Sequence, residues 1–215
     1  MLVGLQRAAV AGLGAEPDPF AICKKQRYAL CATASCLVYN EVAYCSCNIK
    51  SGSSISESDE ISTGNICAVN QQGYNNGYMM STYSLPASVV VGGDQAIYTC
   101  PGETSDGAYA QCDGGFCFAS TRGRKFPTFA RRLNKNEIMC SCPITVADPA
   151  KSPVGYQIVG PYPCQEAFFD NCTSTTANTN SGSSIVVGAP TGTPRLLTQL
   201  LQGSVPELNH CEPTN

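Results

Sequence analysis

Six of the 13 Lys and Arg residues in this 215-residue chain fall within 14 positions: Arg122, Arg124, Lys125, Arg131, Arg132 and Lys135, interleaved with Phe126, Pro127 and Phe129. In a chain of net charge −3 they form a local cationic surface. Guanidinium forks match the oxygens of sulfate, phosphate and carboxylate, and the summed charge steers anions from a distance. The chemistry expected of Arg122, Arg124, Lys125, Phe126, Phe129, Arg131, Arg132 and Lys135 is therefore binding, of an anionic envelope surface, an anionic glycan or a protein partner. The competing reading is a solvated loop whose charges pair with Glu57, Asp59 and Glu60.

Residues for catalysis are scarce by comparison. The one histidine, His210, stands beside Cys211 near the end of the sequence, and no G-x-S-x-G elbow accompanies it. Ser51-Gly52-Ser53-Ser54-Ile55 recurs as Ser181-Gly182-Ser183-Ser184-Ile185, a composition that reads as turn. Sixteen acidic residues offer no spacing that singles out a pair, and there is no Trp to serve as a sugar-stacking platform. Cys45-Ser46-Cys47 and Cys140-Ser141-Cys142 place thiols close together, but zinc sites favour C-x2-C pairs with helper histidines. No metal or other cofactor is expected, and binding is favoured over catalysis. The near-neutral charge balance argues against a nucleic-acid partner. No 18-residue apolar run provides a transmembrane helix.

The 14 cysteines are even in number and accompany few charges and many Ser, Thr, Asn and Gly residues, which fits an oxidising, extracellular or periplasmic compartment. Residues 1–15 have the small apolar composition of a signal peptide, interrupted by Arg7. Positions 28–31 (Tyr-Ala-Leu-Cys), then Cys36 and Cys45-Ser46-Cys47-Asn48-Ile49, return as Tyr109-Ala110-Gln111-Cys112, Cys117 and Cys140-Ser141-Cys142-Pro143-Ile144. The offset grows from 81 to 95, so 14 extra residues, including most of the basic cluster, lie between Cys117 and Cys140. Such self-similarity predicts a duplication. Cys23, Cys31, Cys36, Cys45, Cys47 and Cys67 then form one bridged set, Cys100, Cys112, Cys117, Cys140, Cys142 and Cys164 a second, and Cys172 pairs with Cys211.

The intervals of the first set, with seven, four, eight and one residues between its first five cysteines, resemble those of epidermal-growth-factor-like domains, and Gly64-Asn65-Ile66-Cys67 resembles the family's closing segment. The likeness covers only Cys23 to Cys67. It departs in the 19-residue interval before Cys67 and in the missing aromatic after the Cys-x-Cys, and no function follows from it.

The elements that must position the basic cluster are hairpins. Cys36–Tyr39 and Val42–Cys45 are β-prone runs around Asn40-Glu41, and Phe116–Phe118 faces Ile138–Cys140 across the insertion, which therefore lies at a hairpin tip. Gln71 to Ser84 reads as turns with little helix, and its Tyr74, Tyr78 and Tyr83 as packing side chains, with a ligand-contacting aromatic strip as the alternative. Ser88–Val91 and Ala96–Thr99 read as a further hairpin. Gln165–Asp170 reads as one helical turn. A helix is predicted from Thr193, as cap, through Leu196, Leu197, Leu200 and Leu201 to Gly203.

The expected fold is mainly β and irregular, disulfide-rich, with two duplicated cysteine-braced hairpin modules and a C-terminal tail bearing one short helix. The divisions are 1–15, the signal-like segment; 16–70, the first module; 71–99, the Tyr/Asn/Gly-rich linker; 100–165, the second module; and 166–215, the tail. The function expected is that of a secreted, disulfide-stabilised binding protein. The alternatives are a small secreted hydrolase, or a self-assembling structural subunit of an extracellular assembly.

Overall fold

Asn40 and Glu41 both adopt positive φ, 47° and 64°, the backbone of a two-residue primed turn whose twist matches that of the strands it joins. In the computed structural model, which describes residues 20–57, 65–84, 95–99, 108–126, 129–146, 157–161, 180–185 and 187–188, this turn links β1 (Phe20–Tyr39) to β2 (Val42–Glu57). A connection this short sets the register. It places Tyr39 opposite Val42 and Cys36 opposite Cys45, where a disulfide closes the pair at a Cα separation of 4.0 Å. The hairpin expected between Cys36 and Cys45 is present and extends far beyond it.

The spacing of the cysteines then demands an irregularity. Cys31 and Cys36 are five residues apart, but Cys45 and Cys47 only two, so both cannot face their partners in one register. Between the pairs Ser35↔Ser46 and Leu30↔Asn48, β1 advances five residues while β2 advances two, and the three-residue slip brings Cys31 opposite Cys47. The second half shows the same slip. β6 (Ala108–Gln111) and β7 (Phe116–Phe118) both pair with β8 (Glu137–Val146). From Ala110↔Ile144 to Phe116↔Ser141, β6 and β7 advance six residues against three on β8. This sets Cys112 opposite Cys142 and Cys117 opposite Cys140, and both pairs are bridged.

β2 and β8 pair with each other through Cys45↔Cys140, joining the halves in one nine-stranded, mostly antiparallel sheet. β10 (Ser184–Ile185) lies on the free edge of β1, β3 (Tyr78–Met80) beside β7, β4 (Tyr83–Ser84) beside the end of β2, and β11 (Val187–Gly188) parallel to β6. A separate pair joins β5 (Gln95–Thr99) to β9 (Gln157–Pro161).

One side of the sheet is the core. Alternate residues Cys36 and Val38, Ala43, Cys45 and Cys47, Ile138, Cys140 and Cys142, with Ala29, Cys31, Ala108, Ala110, Cys112 and Cys117, form a single buried cluster. Four disulfides occupy its centre, where larger aliphatic side chains would otherwise be needed to exclude water. The fifth described bridge, Cys23–Cys67, ties β1 to a helix in a second cluster with Ile66 and Met80.

That helix corrects the sequence reading. Gln71 to Asn76, expected as turns, belong to α1 (Ile66–Asn76). The Asn65 side chain accepts from Cys67 N, and Gly77 ends the helix in the left-handed conformation, φ 83°. Polar residues and a glycine weaken propensity here, but the tertiary setting overrides it. Gly73 lies so close to β3 that a Cβ would stand 2.3 Å from the Tyr78 ring. Asn70, buried, binds Gln26, Arg27 O and Met80 N.

Two further differences concern strands. Ala96–Thr99, expected to follow a turn from Ser88–Val91, lies in β5 and pairs with β9, while Ser88–Val91 lies outside the described residues. Ser51–Ile55, read as turn, lies inside β2, whereas Ser181–Ser183 does form a turn, with Val38 N donating to Ser183 O and Gly182 N to Val38 O. Ser88–Val91, the Gln165–Asp170 turn, the helix through Leu200, the segment 1–15, and Cys100, Cys164, Cys172 and Cys211 lie outside the described residues.

Candidate binding site

Strand alternation that turns cysteines inward turns another set of residues out. Leu37, Tyr44, Ser141 and Phe116 are register partners in one row across four strands, and Ser35, Ser46, Met139, Phe118 and Tyr78 in the next across five. Phe116 and Phe118 keep 42% and 48% of their surface exposed and Tyr39, at the hairpin end, 56%. The Tyr78 and Phe116 rings lie 5.6 Å apart. The result is a sheet face that carries Tyr44, Tyr78, Phe116 and Phe118 together with Ser35, Ser46 and Ser141.

The insertion between β7 and β8 begins beside this face. A short 3-10 turn, Ala119–Thr121, follows β7 directly, and Thr121 Oγ1 accepts from Met139 N at 2.9 Å. Leu133 is buried, and its N donates to Arg124 O, closing the loop neck. Phe126 and Phe129 meet edge to face, 6.4 Å between centroids. The loop comes down near the β1–β2 hairpin. Between Phe129, Ala130, Arg131 and Leu133 on one side and Ser35, Leu37, Ser46 and Ser184 on the other lies a cleft of about 390 Å³. A cleft of this size takes a small ligand or one unit of a longer one.

The six cations of the loop have different fates. Arg131 forms a bidentate pair with Glu137, whose Oε2 also accepts from Asn134 N at 2.8 Å. Arg131 holds the Glu137 carboxyl below the usual range, opposing the upward effect of burial, and its own guanidinium is pushed up in return. Arg122 donates from Nε to Lys135 O at 2.9 Å, and Arg132 from a terminal nitrogen to Gly123 O at 2.9 Å, so both clasp the loop's own backbone. Arg124, Lys125 and Lys135 are exposed and make no side-chain hydrogen bond or ion pair with the described residues. Three of the expected contact residues thus shape the loop, and three present charge to solvent. Among the described residues the acidic partner of the loop is Glu137, at its own exit; Asp59 and Glu60 lie outside them.

Tyr74, Tyr78 and Tyr83 form no single strip and go to three places. Tyr74 is exposed on α1 under the Arg27 guanidinium, Tyr78 joins the aromatic face, and Tyr83 packs on Phe20 and Ile55. The sequence reading did not identify the sheet face itself. Its signal was the period-two placement of Phe116 and Phe118 around Cys117, and of Ser35 and Leu37 around Cys36.

Two groups of three cysteines have sulfurs close enough together to hold a metal ion: Cys31, Cys47 and Cys140, and Cys31, Cys112 and Cys142. All five residues are in disulfides, and no described cysteine is free, so their sulfurs are not thiolate ligands. No described helix is long and apolar enough to cross a membrane. The chain matches no family model, no curated protein and no solved structure. The chemistry of the face and loop is what remains to indicate a ligand.

Proposed function

We propose that this chain is an exported binding protein that holds an anionic polysaccharide in the cleft beside its basic loop and along the adjoining sheet face. The observation that carries the reading is the placement of three cations without a side-chain partner among the described residues, Arg124, Lys125 and Lys135, on a loop that borders a face carrying Tyr44, Phe116, Phe118, Ser46 and Ser141. Sugar rings offer apolar faces to Phe and Tyr and hydroxyls to Ser35, Ser46 and Ser184, while sulfate or carboxylate substituents offer oxygens to the cations. A lipid surface would have no use for the serines. Export fits a chain whose ten described cysteines are all bridged, since disulfides persist in oxidising compartments.

The same proposal takes the two hairpins to be copies of one unit. Tyr28↔Lys50, Ala29↔Ile49 and Cys36↔Cys45 correspond, at the offsets of the sequence, to Tyr109↔Thr145, Ala110↔Ile144 and Cys117↔Cys140. The shared Cys45↔Cys140 pair lies where a local two-fold axis would exchange them. On this reading the basic loop is an addition to one copy, made where the other has a two-residue turn.

Retention on immobilised heparin, eluted with salt, tests the binding proposal. The triple variant Arg124→Ala, Lys125→Ala, Lys135→Ala should bind about tenfold more weakly, each exposed charge contact contributing roughly 0.5 kcal/mol. Phe116→Ala with Phe118→Ala should also weaken retention, with the melting temperature little changed because both rings are exposed. Equal retention of wild type and triple variant, or preference for anionic lipid vesicles over the polysaccharide, would overturn the proposal.

A further inference from the structure

The four disulfides of the core are not isolated from one another. Cys45 Sγ lies 3.5 Å from Cys112 Sγ. Cys142 Sγ lies within 4.8 Å of Cys31 Sγ, and Cys47 Sγ within 4.8 Å of Cys140 Sγ. Each approach joins the end of one bridge to the beginning of another. Following bonds and contacts in turn, the sulfurs run from Cys36 to Cys45, Cys112, Cys142, Cys31, Cys47, Cys140 and finally Cys117. Eight half-cystines of one buried cluster thus form a continuous line.

We propose that this line is a thiol–disulfide exchange path, opened at Cys36 by a small-molecule thiol and ending at Cys117. Cys36, at 3%, is the most exposed of the eight half-cystines, with Cys31 and Cys112 at 2% and the other five wholly buried. The external thiolate attacks Cys36 Sγ, forming a mixed disulfide and expelling Cys45 as thiolate. Cys45 attacks Cys112; their bond forms as Cys112–Cys142 breaks, and the electron pair leaves on Cys142. Cys142 then takes Cys31 and expels Cys47, and Cys47 takes Cys140 and expels Cys117. Each internal step trades one S–S bond for another, so none consumes an oxidant or reductant. A second reagent thiol resolves the mixed disulfide at Cys36. The reagent leaves as its own disulfide, and its two protons remain on Cys36 and Cys117.

The consequence is a change in what the bridges join. The observed pairs each lie within one half of the sheet. The exchanged pairs Cys45–Cys112, Cys31–Cys142 and Cys47–Cys140 all cross between halves. Two-electron reduction therefore leaves three bridges in the core and converts local bracing into cross-bracing, in place of one opened hairpin.

The full chain carrying Cys36→Ser, folded oxidatively, begins with one odd thiol. After acid quench, alkylation and peptide mapping, the expected result is that at least a tenth of the label lies on Cys117, accompanied by the three crossed bridges. Label confined to Cys45, with the other bridges as observed, overturns the proposal. Should that variant fail to fold, wild-type protein treated with limiting glutathione gives the same decision. Joint labelling of Cys36 and Cys117 supports the path; labelling of Cys36 with Cys45, or none while the protein stays folded, refutes it.

Discussion

Asp113 shows how one side chain can make stability depend on pH. Its Oδ2 accepts from Ser56 Oγ at 2.9 Å and Glu57 N at 2.7 Å, while Oδ1 is buried without a partner among the described residues, as are Ser54 Oγ and Thr82 Oγ1. Burial, more than any other influence, pushes the Asp113 carboxyl up to about 8, and the nearby Glu57 carboxylate adds to the rise against the lowering effect of the Glu57 backbone, the Ser56 hydroxyl and the Gly114 backbone. In the unfolded chain the group titrates near its ordinary value, so between about pH 4 and 8 only the folded state holds the proton. The stabilisation is full below about pH 4, declines as pH rises, and is gone above about 8. Its upper size is on the order of 5 kcal/mol. Asp113→Asn keeps an acceptor for both donors and removes the titration. Urea midpoints at pH 5 and pH 8.5 should differ for wild type and converge in the variant. An equal pH response in both would place the dependence elsewhere.

Among the elements, α1 is the one whose existence depends on its neighbours. Asn70 donates to Gln26 Oε1 and Arg27 O and accepts from Met80 N, each at 2.8 Å, so one buried side chain fastens the helix to β1 and β3. Asn70→Ala leaves three groups without those partners and should destabilise by about 3 kcal/mol, measured as a denaturant midpoint shift at constant slope. A change below about 0.5 kcal/mol would mean the helix is held mainly by the Cys23–Cys67 bridge and Ile66. The element also marks where local sequence misleads. Gln71, Gln72, Gly73, Asn75 and Asn76 are turn-like residues, and nothing nearby announces that Asn70 will find two of its partners on β1, more than 40 residues upstream. By contrast the Asn40-Glu41 hairpin was legible, because its turn and both flanking strands are contiguous in sequence.

At the scale of the whole molecule, the described bridges differ in what they constrain. Cys23–Cys67 spans 44 residues and Cys36–Cys45 only nine, the latter nested inside Cys31–Cys47. Chain entropy assigns about 4 kcal/mol to the longer closure and about 2.5 kcal/mol to the shorter, less where an enclosing bridge already restricts the loop. Cys23→Ala with Cys67→Ala should therefore cost more stability than Cys36→Ala with Cys45→Ala, in urea unfolding of oxidised protein. The reverse order would show that packing in the sulfur core outweighs loop closure.

The amino-acid sequence alone determined the bridging sets as far as they are described. The repeated spacing grouped the cysteines into two sets and left the pairing within each set open. It also located the basic insertion, because clustered charge needs no fold to be seen. Only the tertiary structure decided that β2 and β8 join into one sheet, that Arg122, Arg131 and Arg132 fasten the loop while Arg124, Lys125 and Lys135 have no side-chain partner among the described residues, and that four disulfides meet in a line. Those outcomes depend on distances between residues far apart in the chain, and local pattern carries no record of such distances.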